Sequence, residues 1–233
     1  WRRAHDPEGR ARAAGPMRLG PGRPVPVLHG HSAAIWPAPH DWPAHAEVTG
    51  AWFLDAQDAE PTWSPPPGLV DFLVHGAPPV YIGFGSMAGV DPEATTRVVV
   101  DAVARAGVRA VLARGWGGIG AVVQDSGLVH LVDEVPHAWL FPRMAAVVHH
   151  GGAGTTAAGL RAGRPTLVCP FGLDQPFWGA RVQALGVGPA PLPQRRLDAG
   201  ACRSRRQSAL SRTRRRSGRR DRARGRSGGG RGD

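Results

Sequence analysis

The 233-residue sequence contains no lysine, no asparagine, only two cysteines and no long hydrophobic run. The two missing residue types both have A-rich codons, which points to a very GC-rich gene. Cys169 and Cys202 cannot build a disulfide framework, and Cys169 falls in a stretch that reads as a buried strand, so a reducing compartment fits. The N-terminal WRRAHDPEGRARAAGPMRLG holds no apolar signal core, and no run elsewhere approaches the length of a membrane span. A soluble, cytoplasmic protein is the expectation. The chain also begins without methionine and reads as a piece of a longer protein.

Charge is unevenly placed. The formal net of +11 invites a polyanionic partner, yet from Arg195 onward 15 arginines face three acids, while the preceding 14 arginines and 15 acids leave a net of −1. That tail, residues 195–233, is rich in Arg, Gly and Ser without an apolar period, and is expected to be disordered. A solvated polycation could hold nucleic acid or anionic lipid, but this one lacks aromatic residues for base stacking. GC-rich DNA translated in a shifted frame yields much the same composition. A frameshift or mis-called terminus is preferred to a functional basic segment, and no specific nucleic-acid partner is expected.

With 42% hydrophobic residues, the chain can bury one core of ordinary domain size. Residues 1–75 are rich in Pro and Trp, with strand candidates at VPVLHG (Val25–Gly30) and AEVTGAWFL (Ala46–Leu54). Pro37, Pro39, Pro43, Pro61 and Pro65 to Pro67 exclude long helices there. The segment reads as the edge of another domain followed by a linker. Its histidines, His29, His31, His40 and His45, lack carboxylates or cysteines at ligand spacing, which favours packing or surface roles over a metal.

A regular alternation begins near Pro78. PVYIGFGS, VRAVLAR, LVHLVDEV, AAVVHH and PTLVCP read as strands. Asp91, Pro92 and Glu93 open a helix that presents Val99, Ala102, Val103 and Ala106 on one face and stops at Gly107. HAWLFPRM, GTTAAGLRAG and QPFWGARVQALG read as further helices. Short apolar strands alternating with helices predict an α/β fold, a Rossmann-like doubly wound parallel sheet over residues 76–194.

Ligands of such sheets bind beyond the carboxyl ends of the strands. Ser86, Arg114, Val135, His150 to Thr155, and Asp174 with Gln175 fall there. In HHGGAGTT, Gly151, Gly152 and Gly154 let backbone amides approach a ligand, and the helix start favours an anion such as phosphate. Thr155 adds a hydroxyl. Strand alternation allows only one of His149 and His150 to reach the ligand; His150, at the turn, is chosen, and His149 is assigned to the sheet interior or a supporting position. Taken singly, the glycines could make a tight corner, Thr155 could cap the helix, His150 could pack, and Asp174 could start the next helix. Together they favour anion binding. A dinucleotide such as NADP is the rival, because GFGSMA (Gly83–Ala88) and GAGTTA (Gly152–Ala157) both fit a loose GxGxxA pattern. The first would have Arg114 where an acid is expected; the second has no acid at the tip of its next strand.

YIGFGSM, VPHAWLFPRMAAVVHHGGAGTT and CPFGLDQPFWGARV resemble the GT-B nucleotide-sugar glycosyltransferases, near bacterial and fungal sterol glucosyltransferases and glycopeptide-antibiotic glycosyltransferases. The resemblance runs from about Val25 to about Pro193 and implies the donor-binding C-terminal half of that fold, preceded by the remnant of an acceptor domain. It implies that Ser86 lies near the diphosphate, that Arg114 and Val135 flank base and ribose, that His150, Gly152, Gly154 and Thr155 hold the diphosphate, and that Asp174 and Gln175 bind the sugar hydroxyls. The acid that binds ribose in plant relatives is replaced by Ala158. The activity implied is inverting, metal-independent transfer of a hexose, glucose by analogy, from a UDP-type donor to a hydroxyl of a sterol, lipid or other hydrophobic acceptor. No cofactor is expected, since the nucleotide sugar is a co-substrate. A lipid acceptor implies peripheral membrane contact, and the general base would lie outside this chain. Alone, the chain is expected to bind donor without appreciable turnover. The alternatives are an inactive nucleotide-sugar-binding fragment and an NADP-binding oxidoreductase domain.

Overall fold

The computed structural model describes residues 18–20, 23–53, 63–87, 91–115, 118, 120 and 126–193. The basic tail, Cys202 and residues 1–17 lie outside them. The chain divides into two compact units between Leu54 and Asp55.

In the first unit, β1 (Arg18–Gly20) pairs antiparallel with β2 (Arg23–Pro24), and β3 (Val27–His29) pairs parallel with β4 (Ala46–Val48). The two strands proposed from sequence are thus partners. His29 lies against Trp42 with ring centroids 4.0 Å apart, and buried His31 donates from Nε2 to the carbonyl of Trp36 at 3.1 Å. Burial, and then the neighbouring His29, lowers the pKa of His31. These two histidines pack among tryptophans.

The second unit opens with α1 (Pro67–Val74), a helix within the segment assigned to the linker. Prolines 65 to 67 do not prevent it: Pro67 occupies the first turn, where its missing amide costs nothing, and Leu69 is fully buried. Then follow β5 (Val80–Gly83), α2 (Pro92–Ala106), β6 (Ala110–Ala113), β7 (Val129–Val132), α3 (His137–Leu140), a 3₁₀ turn at Phe141–Arg143, β8 (Ala146–His149), α4 (Ala153–Arg161), β9 (Thr166–Val168) and α5 (Gln175–Ala184). The strands form one parallel sheet in the order β7-β6-β5-β8-β9. The chain winds outward from β5 to one edge, crosses back, and winds outward again from β8.

Strand alternation builds a core on each face of this sheet. Ile82, Ala110, Leu112 and Val129 pack with Val99 and Val103 of α2. Tyr81, Val111, Ala113 and Val147 pack with Leu69, Leu140, Phe141 and Met144. The start of α2 follows the sequence expectation: Asp91 accepts the amide of Ala94 at 3.0 Å, Pro92 sits in the first turn, and Gly107 closes the helix at φ 62°. The predicted face needs correction, because Ala102 and Ala106 are exposed. The buried stripe runs through Thr96, Val99 and Val103; alanine carries too little apolar surface to decide which flank turns inward. The buried hydroxyl of Thr96 is satisfied by the carbonyl of Pro92 and the amide of Gly120.

Candidate functional site

The strand order reverses between β5 and β8, where Gly83 and His149 are register partners. The turns that follow these strands meet at the carboxyl end of the sheet, the usual position of a ligand crevice in an open α/β fold.

The two histidines face opposite ways, as alternation requires. His149 is fully buried, and its Nδ1 accepts the amide of Gly151 at 2.9 Å. Its pKa is pushed down to about 3, first by burial and then by His150 and His137. The imidazole of His150 sits in a slot lined by glycines from two turns. A Cβ on Gly152 would stand 2.7 Å from its Nε2, and a Cβ on Gly85 would stand 3.3 Å from its Cε1. Burial lowers the pKa of His150 and Asp174 opposes that shift. The nearby acid therefore favours the charged imidazole that burial disfavours. Gly151 has φ +99°, and a Cβ there would be 2.5 Å from Cγ1 of Val168. Only glycine fits.

Gly152 caps α4 without any side-chain cap. Thr155 is consequently the third helical residue and no cap, so its hydroxyl is not spent on the helix start. The neighbouring Thr156 turns inward, is fully buried, and bonds the carbonyl of Gly152 at 2.9 Å. The amides of Ala153, Gly154 and Thr155 occupy the positions that lack intrahelical acceptors. Gly154 is exposed, and a Cβ on it would meet nothing within 4 Å. Packing explains Gly85, Gly151 and Gly152, but among the described residues nothing requires glycine at 154.

Asp174 and Gln175 take different roles. Gln175 is 3% exposed, and its Oε1 accepts the amides of Phe171 and Gly172 at 2.7 and 3.1 Å. It shapes the loop after β9, and only its amide nitrogen is left to meet a sugar. Asp174 is exposed and makes no side-chain cap to α5; its Oδ2 accepts the indole N–H of Trp178 at 2.7 Å. Between them and β9 stands Leu173, 90% exposed and at φ 57°.

A cleft of about 630 Å³ opens at the carboxyl ends of β5, β6 and β7, lined by Trp63, Tyr81, Ser86, Gly115, Val135 and His137 among others. Ser86 and Val135 are brought together there, while His150, Gly152, Gly154, Thr155 and Asp174 gather around the start of α4. Gly85 links the two groups, since it lines the cleft and walls the His150 slot. Gly115 belongs to the same corner: at φ +54°, a Cβ on it would lie 2.3 Å from the carbonyl oxygen of Gly85. Arg114 is not in the lining; its guanidinium reaches Asp133 at 3.0 Å. Trp63, Tyr81, His137 and Trp178 went unnoticed in the sequence. His137 could have been found from its position at a helix start after β7, whereas Tyr81, inside β5, and Trp63 carry no such signal.

The dinucleotide patterns fare unequally. Among the described residues the next helix after Gly83 and Gly85 is α2, which starts at Pro92, so the first copy does not show the strand-turn-helix that the fingerprint requires. The second leads directly into α4, but β9 is followed by Cys169 and Pro170, with no acid at its tip.

Residues 97–219 match the family model described as erythromycin biosynthesis protein CIII-like, C-terminal domain. The chain is 48% identical over 174 residues to sterol 3-beta-glucosyltransferase UGT80A2 of Arabidopsis thaliana, a match covering 75% of this chain and 27% of that protein. It is 46% identical over 184 residues to a sterol 3-beta-glucosyltransferase of Cryptococcus neoformans, covering 70% of this chain and 12% of the relative. It therefore spans well under two thirds of either. Among solved structures, the calicheamicin glycosyltransferase CalG4 aligns with a TM-score of 0.56 at 20% identity, over 77% of this chain and 43% of that one. The kitacinnamycin glycotransferase aligns with a TM-score of 0.55 at 22% identity, over 73% and 42%. The chain belongs to the erythromycin biosynthesis protein CIII-like C-terminal domain family, and its second unit has the fold of the C-terminal half of a GT-B glycosyltransferase.

Proposed function

We propose that this chain supplies the donor site of an enzyme that transfers glucose from a uridine diphosphate sugar to the hydroxyl of a sterol or similar hydrophobic acceptor. The observation that carries the reading is the meeting of His150, the uncapped start of α4 and Asp174 at the reversal of strand order. The printed names of the plant and fungal relatives support the choice of sugar and acceptor.

Loss of the diphosphate from the anomeric carbon builds negative charge on the leaving oxygens. The amides at the start of α4 and the hydroxyl of Thr155 can donate to those oxygens, and His150 can donate through an N–H. Asp174, beside them, can accept from sugar hydroxyls, and the amide of Gln175 can add a donor. Ser86 and Val135 line the cleft that would take the nucleoside, with Arg114 at its margin. Attack by the acceptor oxygen on the face opposite the diphosphate inverts the anomeric carbon. The proton of that hydroxyl goes to a base that the proposed donor site does not include. Positive potential at the leaving group comes from the chain itself, so donor binding is expected to survive chelators.

Calorimetric titration of the chain with UDP, UDP-glucose and NADP, repeated for His150→Ala, tests this. The uridine nucleotides should bind, and the substitution should weaken them roughly 10- to 100-fold, the usual worth of a hydrogen bond to a charged group. Binding of NADP alone, or indifference to His150→Ala, would sink the reading.

A further inference from the structure

The carboxylate of Asp174 sits at the start of a helix that cannot use it. Its natural targets would be the amides of the second and third helical residues. The second is Pro176, which has no N–H, and the amide of Phe177 already bonds the backbone carbonyl of Asp174 at 3.0 Å. One turn along the helix, the indole N–H of Trp178 takes Oδ2 instead, at 2.7 Å. Trp178 is 8% exposed and cannot swing away, whereas Asp174 is exposed and would otherwise sample several rotamers. The same helix start is seated against the turn after β8: a Cβ on Gly151 would lie 3.1 Å from the Cβ of Gln175. The carboxylate is thus held on a fixed base next to the His150 turn.

We propose that Trp178 is a positioning residue: its buried indole N–H clamps one oxygen of Asp174 so that the other faces the hexose of a nucleotide sugar. The inference rests on the donor-site reading and deepens it, because it assigns a sugar-specific role to a residue outside the lining of the cleft proposed for the nucleoside. A tryptophan serving only the core would also need an acceptor for its N–H, so the test must separate sugar recognition from stability.

Calorimetry on the full chain compares UDP with UDP-glucose for the unsubstituted protein, Trp178→Phe and Asp174→Asn. Trp178→Phe should cut the advantage of UDP-glucose over UDP by about five- to tenfold, the scale of one lost hydrogen bond, and leave UDP affinity within twofold. Asp174→Asn should reduce the same advantage. If Trp178→Phe does not fold, the indole N–H resonance of Trp178 still decides. Identified by its shift in Asp174→Asn, it should respond to UDP-glucose and not to UDP. Equal loss of both ligands in Trp178→Phe, an unchanged advantage, or an indole signal that answers both ligands alike overturns the proposal while leaving the donor site intact. Failure of the unsubstituted chain to bind either nucleotide overturns the donor-site reading and this proposal with it.

Discussion

The amide of Gly151 donates to Nδ1 of His149 at 2.9 Å, which places the ring proton on Nε2, buried at the carboxyl end of β8. Burial, then His150 and His137, holds the pKa at about 3, so the folded protein keeps this imidazole neutral far below the ordinary 6.5. The unfolded chain protonates it near 6.5. A folded pKa below the unfolded one gives stability that is complete above the unfolded value and is lost as pH falls toward the folded one. Between pH 6.5 and about 3, this group should cost up to ~1.4 kcal/mol per pH unit, with His137, also shifted down by burial, adding in the same sense. Urea midpoints at pH 7.5 and 5 should differ accordingly, and His149→Gln should flatten the dependence. A pH-independent midpoint would mean that no neutral imidazole is buried there.

Gly152 and Gly154 should respond oppositely to alanine. A Cβ on Gly152 lands 2.7 Å from Nε2 of His150. At φ −59° and ψ 141° the backbone itself tolerates alanine, so Gly152→Ala should displace the imidazole and weaken UDP about as much as His150→Ala. At Gly154 a Cβ meets nothing, and alanine should stabilise the helix by up to about 1 kcal/mol. If a diphosphate lies against those amides, Gly154→Ala should nevertheless lower UDP affinity. A variant both more stable and undiminished in binding would place the ligand elsewhere.

The architecture was legible because each level of the sequence pointed the same way: alternating short apolar runs, an Asp-Pro-Glu helix start, and glycines at 107, 163 and 186, all of which adopt positive φ. The gathering of His150, Gly152, Gly154 and Thr155 at one turn was legible too, since the four are close in sequence. Partnerships made by folding back were not. That Gln175 would turn inward to hold the amides of Phe171 and Gly172 depends on the path of the β9 loop, and DQ before a helix gives no sign of it. Arg114 read as a nucleotide-flanking cation; its partner Asp133 follows the adjacent strand, 19 residues away. Gly85 and Gly115 earned no separate notice because their reason is each other: two strand-end turns that touch across neighbouring strands.

Leu173 pays for an unusual backbone. It is the non-glycine residue with positive φ among the described residues, at 57°, and its side chain is 90% exposed. The left-handed conformation costs a residue with a Cβ roughly 1–2 kcal/mol, and no burial offsets it. Glycine gives back about 0.5–1 kcal/mol through the freer unfolded chain. Leu173→Gly should therefore stabilise by about 0.5–1 kcal/mol, raising the urea midpoint without changing the slope. A lowered midpoint would show that the leucine side chain packs against something in solution.

The charge on His150 should follow its ligand. In the free protein burial lowers its pKa and Asp174 only partly restores it. A diphosphate at the start of α4 brings negative charge to the same ring and must raise the pKa in the complex. The resulting affinity is therefore complete below the free pKa and declines as pH rises through the pKa of the complex. Between the two values binding should take up as much as one proton. UDP-glucose is the ligand of choice, because its phosphates carry no proton near neutral pH. Calorimetric enthalpies measured in buffers of different ionisation enthalpy report the uptake directly, and the dependence on buffer should vanish in His150→Ala. No uptake combined with a large loss in the variant would mean that neutral imidazole donates through its N–H, leaving the leaving-group charge to the helix amides. No uptake and no loss would remove His150 from the site.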